Sequence, residues 1–334
     1  MRPISNPPNP WLSTQVEYLD EPPPAALEVY EELAKSALSE NESPDVGFRW
    51  SVNPYRGCQH ACAYCYARPS HQYLGFGAGT DFERRIVVKT NVHELLALEL
   101  GSASWRREQV VFSGNTDCYQ PLEASYELTR RCLEVCRARH TPVGVITKGT
   151  LVRRDLGLLA ELARGPGASV HVSIPFLDER TGRAIEPGAP SPRRRFETLR
   201  LLSRAGIETG VSISPLVPGL NETDVAGILE RAREAGATRA FMTLLRLPAE
   251  VLPVFRERLA AEFPERVRKV ENGIREMKLG AWNRAEFGQR MRGSGPRWEA
   301  LRGLFEIQCR RLGLNRERER APAAVQGELF EARG

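Results

Sequence analysis

The sequence lacks any long apolar run, and this absence limits where the protein is expected to work. No stretch approaches the roughly 18 uncharged apolar residues that a membrane span requires. The first residues, MRPISNPPNPWLST, contain no apolar segment of the kind that directs secretion. We therefore expect a cytoplasmic protein without a membrane partner.

Lysine is also scarce, although the chain is mildly basic. Only five of the 47 basic residues are lysines, and 42 acidic residues leave a formal net charge of +5. This bias is too weak to identify a nucleic-acid-binding arm, and an arginine-rich composition produces it without any selection for phosphate binding. Arginine runs such as 193–195 could line a phosphate track, but a solvated helix face explains them equally simply.

The cysteines are few and odd in number. Seven cysteines in 334 residues, without secretory features, argue against a disulfide framework. Three of them, Cys58, Cys62 and Cys65, fall within eight positions of the stretch NPYRGCQHACAYCYARPS, and we expect them to bind a metal. Cys132 and Cys136 lie four apart on a predicted helix and are expected to fill the core.

From about residue 109 onward, short β-branched runs alternate with amphipathic stretches. VVFSGNT, VGVITKG, SVHVSIP, ETGVSISPLVPG and TRAFMTLLRLP are typical strands, and with RWSVNPYRG they make six strand–helix units. Short apolar strands with helical crossovers predict a parallel sheet. We predict an α/β fold, a partial (β/α)6 TIM-type barrel.

Three further segments flank the predicted barrel, which covers 47–250. Residues 1–46 are expected to form a proline-rich leader with one short helix within ALEVYEELAKSAL. Residues 251–314 are predicted to form a C-terminal helical extension, and 315–334 a disordered tail.

Polar residues interrupt the predicted strands at one end only. The cysteine loop follows the first strand, Thr116 and Asp117 follow the second, Lys148 ends the third and Ser173 ends the fourth. In a parallel barrel the carboxyl ends of all strands lie at one face, where catalytic groups assemble. We expect the functional site at that face.

The spacing C-x3-C-x2-C supplies three ligands where a structural zinc site requires four. His60 lies between two of the cysteines and would be strained in reaching the same ion. A cubane iron–sulfur cluster held by three thiolates leaves one iron open, and that iron can bind a second cofactor. Zinc or a purely structural cluster is the alternative.

The octapeptide CQHACAYC, with Tyr64 before the last cysteine, resembles the signature of the radical S-adenosylmethionine (SAM) enzymes. This resemblance implies that Cys58, Cys62 and Cys65 bind a [4Fe-4S] cluster and that SAM chelates the fourth iron. Reduction then cleaves the sulfonium and gives a 5'-deoxyadenosyl radical that abstracts hydrogen. The resemblance also implies an electron donor such as a flavodoxin or a ferredoxin.

Longer segments resemble one branch of that superfamily. NPYRGCQHACAYCYARPSHQYLG, NTDCYQPLE, ITKGTLVRRD and IEPGAPSPRRRFETLRLLSRAGI are similar to the branch that contains spore photoproduct lyase and DNA-repair-photolyase-like proteins. The similarity implies a lyase-like enzyme acting on DNA. A peptide, an RNA base or a small metabolite is an alternative substrate, and a non-catalytic, metal-containing nucleic-acid or clamp-associated protein is a third hypothesis.

The same resemblance implies roles for four residues. Lys148 matches a lysine that contacts the methionyl carboxylate of SAM, and Ser173 matches a serine that contacts the ribose. Tyr64 and Tyr66 flank the third cysteine as adenine-side residues do. An ordinary strand hydroxyl is the alternative for Ser173.

The loop after the second strand departs from the family pattern. The usual Gly-Gly-Glu triplet is absent, so Thr116 and Asp117 are candidates for the contact with the SAM amino group; a helix cap explains Asp117 equally well. Cys118 is a candidate hydrogen-atom donor, although spore photoproduct lyase carries its donor cysteine at another position, and a loop cysteine without function is the alternative. Glu186 and Arg195 belong to the signature of this branch; their role is open, and a structural ion pair is the simplest alternative.

The tail contains QGELF, Gln326 to Phe330, which resembles the motif that binds bacterial sliding clamps. Such segments dock two apolar side chains in a preformed groove. A functional motif would place the protein at DNA.

Overall fold

The structure is a computed structural model that describes residues 9–11 and 26–316, in which strands and helices alternate. The strands are β1 Glu28–Glu32, β2 Leu38–Glu40, β3 Trp50–Val52, β4 Tyr55–Arg56, β5 Arg85–Lys89, β6 Val110–Phe112, β7 Val143–Thr147, β8 Ala168–Ser173, β9 Glu208–Leu216 and β10 Arg239–Leu244. The helices are α1 Thr80–Arg84, α2 Val92–Glu99, α3 Glu123–Tyr126, α4 Leu128–Ala138, α5 Leu156–Arg164, α6 Glu179–Ile185, α7 Pro192–Arg204, α8 Val225–Glu234, α9 Val251–Glu262, α10 Val267–Met277 and α11 Pro296–Leu312.

Six strands run parallel in one sheet and form a half barrel. Their order is β10-β9-β8-β7-β6-β3, and β2 adds a seventh, antiparallel strand beside β3. Helices α4, α5, α7 and α8 lie in the crossovers that join successive strands from β6 to β10. Within the described residues the sheet ends at β10 and β2, so the barrel is open. The predicted partial (β/α)6 barrel is confirmed.

The two faces of the sheet differ in polarity. Val170 and Val172 of β8, with Val211 and Ile213 of β9, are at most 1% exposed and pack with α7 and α8 in the main core. Burying each such side chain stabilises the fold by roughly 1.5–3 kcal/mol. Because successive side chains of a strand point to opposite faces, Ser173 belongs to the face away from the helices.

The predicted leader helix is wrong, because residues 28–40 contribute two strands instead. β1 pairs in parallel with β5, with Val29 opposite Ile86, and β4 completes a three-stranded sheet in the order β1-β5-β4. Val29 and Tyr30 favour extended backbone, and the buried strand β5 offers a partner that no local pattern reveals. Long-range pairing therefore outweighs the helical periodicity of this segment.

The C-terminal segment covers the edge of β10. Helices α9, α10 and α11 lie within residues 251–314, the segment for which a helical extension is predicted. The Leu244 N–H donates to the Met291 carbonyl at 3.0 Å, and the Asn315 side chain accepts from Ala240 N and donates to Ala240 O, both at 2.8 Å. These contacts pair backbone groups that an edge strand would otherwise leave exposed.

Across residues 9–11 and 26–316, no helix has the length and apolar character needed to cross a membrane. The clamp-binding segment, Gln326 to Phe330, lies outside the described residues and stays a prediction.

Candidate functional site

The three-cysteine loop follows β4 and ends at a 3-10 segment, Arg68–Leu74. Two tight turns shape it, since the Ala61 N–H donates to Cys58 O and the Cys65 N–H donates to Cys62 O, each at 3.2 Å. Ala61 adopts the left-handed conformation, with φ of 55°. Cys58 and Cys62 are buried, and Cys65 is partly exposed. All three thiols therefore project from one compact turn.

Gly57 allows the start of this loop to pack closely on its neighbours. Its φ is +80°, and a Cβ there would meet the Ile86 side chain and the Phe82 carbonyl oxygen at 2.9 Å. Glycine avoids both the strain and the clash. The same Phe82 carbonyl accepts a hydrogen bond from the Cys58 N–H at 2.9 Å, which fixes the first cysteine.

The three thiols lie close enough to influence one another's ionisation. Burial, Asp117, and then Cys62 and Cys65 raise the pKa of Cys58. Burial raises the pKa of Cys62 to about 12, although the Lys148 ammonium acts in the opposite direction. Such thiols stay protonated until a metal displaces their protons. A donor set made of thiols alone, two of them buried, fits an iron–sulfur cluster.

Within the described ranges, no group of three or more His, Cys, Asp or Glu side chains is arranged to hold a metal ion. The thiolate ligands of a cluster bind separate iron atoms and do not need to converge on one point. The thiol triplet is therefore a candidate site for a cluster and not for a single metal ion.

Arg68 supports the loop and is a residue that sequence reasoning misses. Its side chain is fully buried and donates to the Cys62 carbonyl at 3.1 and 2.8 Å. It also pairs with Glu83 at 2.6 Å and donates to the carbonyls of Ala78 and Gly79. These acceptors compensate for burying the charge. The only signal in the sequence is its position shortly after the last cysteine.

A pair of glutamines joins the cysteine loop to the loop after β6. The fully buried Gln120 accepts from the Gln59 N–H at 3.0 Å and donates to the Gly57 carbonyl at 3.1 Å. The Gln59 side chain in turn accepts from the Leu122 N–H at 2.9 Å. These bonds bridge positions more than 60 residues apart, so no local pattern predicts them.

Glu186 connects three of the strand-end residues. Its buried carboxylate pairs with Arg195 at 2.5 Å, accepts a hydrogen bond from the Tyr64 hydroxyl and lies 4.0 Å from the Lys148 ammonium. Arg195 also donates to the Ser173 carbonyl at 3.0 Å. The structure therefore contains the ion pair that is the simplest alternative for Glu186 and Arg195. This ion pair links the cysteine loop to the ends of β7 and β8.

Lys148 is a charged group at the centre of this face. Burial lowers its pKa, but Cys62 and Glu186 raise it further, so the pKa lies above the ordinary lysine value. The ammonium lies 5.7 Å from the ring centroid of Tyr64. A compact positive charge beside the thiols is suited to binding a carboxylate.

The Asp117 carboxylate joins three segments of the chain. One oxygen accepts from the Thr147 hydroxyl at 2.6 Å and the Tyr119 N–H at 2.9 Å. The other accepts from the Lys148 N–H at 2.7 Å and lies 3.2 Å from His60 Nδ1. Burial acts to raise the pKa of Asp117, but His60 and these hydrogen bonds hold it well below its ordinary value. A contact with an amino group stays a prediction.

The remaining predicted cofactor residues lie at the same end of the sheet. Thr116 donates its hydroxyl to the backbone of β4 at 2.7 Å. The buried Ser173 has its hydroxyl 3.4 Å from the Ser214 carbonyl oxygen. Tyr66 is 45% exposed and donates to the Gly114 carbonyl at 2.7 Å. Tyr66 therefore presents an accessible aromatic ring at this face.

The other cysteines are buried away from solvent. Cys118 is 0% exposed in the main core, and burial raises the pKa of its thiol well above the ordinary value. A hydrogen-atom donor must reach its substrate, so this placement favours the alternative of a loop cysteine without function. The donor role of Cys118 stays a prediction. Cys132 and Cys136 are core residues, as predicted.

Known protein sequences are similar to this chain over most of its length. The sequence model of the Radical SAM superfamily matches residues 52–232, more than half of the chain. An uncharacterized protein of Mycobacterium tuberculosis (strain ATCC 25618 / H37Rv) is 42% identical over 243 residues, or 71% of each chain. The radical SAM Nalpha-GlyT isomerase of Pseudomonas phage M6 is 27% identical over 234 residues, or 69% of this chain and 46% of that protein.

Solved structures share the fold. Spore photoproduct lyase complexed with dinucleoside spore photoproduct gives a TM-score of 0.63 at 15% identity, covering 86% of this chain and 80% of that chain. A mutant of that enzyme with bound AdoMet and the dinucleoside gives 0.61 over the same coverage. At 15% identity, this similarity shows a shared fold and nothing about activity or substrate.

Proposed function

This chain belongs to the radical SAM superfamily, and we propose that Cys58, Cys62 and Cys65 hold a [4Fe-4S] cluster beside bound SAM. Together these groups supply, when bound, a reductive cleavage that yields a 5'-deoxyadenosyl radical. The proposal is carried by one observation: the thiol triplet adjoins the charged Lys148 at the carboxyl ends of parallel strands. A flavodoxin or a ferredoxin would supply the electron.

The side chains of this face orient SAM in our proposal. Lys148 binds the methionyl carboxylate through its ammonium, and the Ser173 hydroxyl binds the ribose. Tyr64 and Tyr66 lie on the adenine side, where aromatic rings pack against a purine. The Glu186 carboxylate holds Tyr64 and attracts Lys148, so it positions both without contacting SAM.

The loop after β6 completes the cofactor site. Thr116 and Asp117 lie on the side of the SAM amino group in this proposal. Asp117 also accepts the Lys148 N–H, and so it fixes the end of β7 from which the lysine side chain projects. Cys118 is the hydrogen-atom donor only if the loop moves, because its thiol is buried in this structure.

We further propose a nucleic-acid substrate and a DNA repair-like, lyase-like reaction. Support comes from the shared fold with spore photoproduct lyase, whose solved complex contains a dinucleoside photoproduct. A base within a duplex would have to leave the stack to reach the strand ends. A sliding clamp bound through Gln326 to Phe330 would bring the enzyme to DNA.

A peptide, RNA base or small-metabolite substrate is the alternative, and salt-dependent binding discriminates between these classes. Affinity for DNA falls as salt rises, because bound phosphates release counterions. Titration of labelled DNA at several salt concentrations should therefore show strong salt dependence. An absence of binding would favour the alternative substrates.

Anaerobic turnover tests the chemistry itself. Protein reconstituted with iron and sulfide is mixed with SAM and dithionite, and 5'-deoxyadenosine is quantified. Wild type and Cys132→Ala should form the product, whereas Cys62→Ala should not, because Cys62 belongs to the thiol triplet and Cys132 does not. No product from a fully loaded wild type would contradict the proposed chemistry and favour a non-catalytic nucleic-acid or clamp-associated protein.

A further inference from the structure

Arg246 follows β10 at the strand-end face, and no partner balances its charge in the part of the chain that the structure describes. The residue is half-buried, and its Nε is shielded from solvent without a hydrogen bond. Its guanidinium lies 6.0 Å from the ring centroid of Tyr66. A half-buried cation without an acceptor is costly, so this position is suited to an anionic ligand.

Neighbouring cations differ from Arg246 because each has a partner. Arg290 pairs with Asp45 at 2.5 Å, and Arg284 lies 3.9 Å from Glu286. The buried Lys278 donates to two backbone carbonyls at 3.0 and 3.3 Å. The contrast sets Arg246 apart as a cation available to a ligand.

Asp45 does not neutralise Arg246, although its charge acts on it. The Asp45 carboxylate accepts a backbone N–H at 2.6 Å and Arg290 Nε at 2.5 Å, so both of its oxygens are engaged. Burial, and then the charge of Arg290, lower the pKa of Arg246. Burial and two nearby arginines lower the pKa of Lys278 to about 8. Within the described residues, Arg246 and Lys278 therefore lie in a region where carboxylates pair with the neighbouring arginines and not with these two cations.

We propose that Arg246 binds a backbone phosphate of the nucleic-acid substrate beside the cysteine loop. This inference rests on the proposed function. A guanidinium presents parallel donors that match two phosphate oxygens. Tyr66, which directly follows Cys65 and is 45% exposed, places Arg246 at the mouth of the site. Lys278 lies nearby and donates to neutral backbone carbonyls, so it adds a second positive charge that favours a phosphodiester chain over an isolated carboxylate.

Binding of single-stranded DNA to cluster-loaded protein tests this assignment. The probe is a fluorescently labelled oligothymidine, measured by anisotropy at several salt concentrations. Arg246→Gln should weaken binding about tenfold, as expected for loss of a hydrogen-bonded charge. The slope of log affinity against log salt should fall by about 0.7. The control Arg302→Gln removes an arginine that is 59% exposed on α11 and should leave binding unchanged.

A second readout separates substrate binding from cofactor binding. Formation of 5'-deoxyadenosine without substrate should be equal in wild type and Arg246→Gln. Loss of that product with unchanged DNA binding would overturn the inference, because Arg246 would then serve SAM. Equal affinity and equal salt slope in both proteins would also overturn it. If Arg246→Gln fails to load iron, Arg246→Lys serves instead, because lysine keeps the charge but not the paired donors of a guanidinium. An unchanged DNA affinity in Arg246→Lys would then overturn the bidentate contact with phosphate.

Failure of the proposed function gives a different pattern. A wild type that forms no 5'-deoxyadenosine contradicts the radical chemistry, whatever its DNA affinity. A wild type that forms 5'-deoxyadenosine but does not bind the probe contradicts both the nucleic-acid substrate and the role of Arg246. Binding by the wild type that Arg246→Gln retains in full contradicts the role of Arg246 alone.

Discussion

Replacing Glu186 by glutamine should destabilise the folded protein, because it removes the negative charge that Arg195 and Lys148 share. The carboxylate pairs with Arg195 at 2.5 Å and lies 4.0 Å from the Lys148 ammonium. The side chains of Glu186 and Arg195 are 0% and 1% exposed, so water cannot replace the lost interaction. The substitution therefore leaves positive charge buried without its counter-ion.

The size of the loss in unfolding free energy depends on the hydrogen-bond acceptors that Arg195 retains. Removing one partner of a buried ion pair costs about 3–5 kcal/mol. Arg195 keeps two acceptors, the carbonyls of Pro190 and Ser173 at 2.7 and 3.0 Å. We therefore expect the lower end of this range, a loss of about 3 kcal/mol in the free energy of unfolding.

Urea unfolding of the reduced, cluster-free protein, followed by tryptophan fluorescence, measures this loss. Glu197→Gln on α7 is a matched control, because Glu197 pairs with Arg200 at 2.7 Å while both side chains are more than 40% exposed. The control should change the free energy of unfolding by at most about 0.5 kcal/mol. A loss for Glu186→Gln no larger than that of the control would refute the reasoning.

Three further predictions follow from the cysteine loop and its neighbours. Gly57→Ala should lower the iron content and the stability of the protein more than Gly75→Ala. Both glycines have a positive φ, but of the two only Gly57 has atoms that an added Cβ would meet, at 2.9 Å. Iron analysis after reconstitution should show loss of the cluster in Cys62→Ala and retention in Cys132→Ala, and equal iron in both would contradict the ligand assignment. The carboxyl group of Asp117 has a lower pKa in the folded protein than in the unfolded chain. Its negative charge therefore stabilises the fold at pH values above the ordinary carboxyl pKa, and this stabilisation is lost as the pH falls below that pKa. Between about pH 6 and pH 3, unfolding free energy should therefore fall more in wild type than in Asp117→Asn, and parallel pH profiles would contradict this.

The sequence predicted those features that local patterns encode. Six apolar runs separated by helical periodicity identified the parallel half barrel, and the spacing of Cys58, Cys62 and Cys65 identified the thiol triplet. The polar residues at strand ends, such as Lys148 and Ser173, fall at one face because parallel strands share their direction.

Features that depend on long-range contacts could not be predicted. The segment around Val29 has a helical pattern and forms a strand because β5 lies beside it. Arg68 and Gln120 hold the cysteine loop through backbone carbonyls, which leave no trace in the sequence. The sequence predicts that His60 does not reach an ion shared with the cysteines, and the structure places its ring beside Asp117. Arg246 has no local motif at all, and its unpaired Nε close to the Tyr66 ring depends on long-range packing.

Electron paramagnetic resonance of the reconstituted, dithionite-reduced protein tests the central claim most directly. We expect about four iron atoms per chain and a reduced-cluster signal that changes when SAM is added, because in the proposed site SAM would bind the iron that the three cysteines leave open. Cys65→Ala should lose this signal. Zinc in place of iron in anaerobically purified protein, or a cluster signal that SAM leaves unchanged, would contradict the assignment.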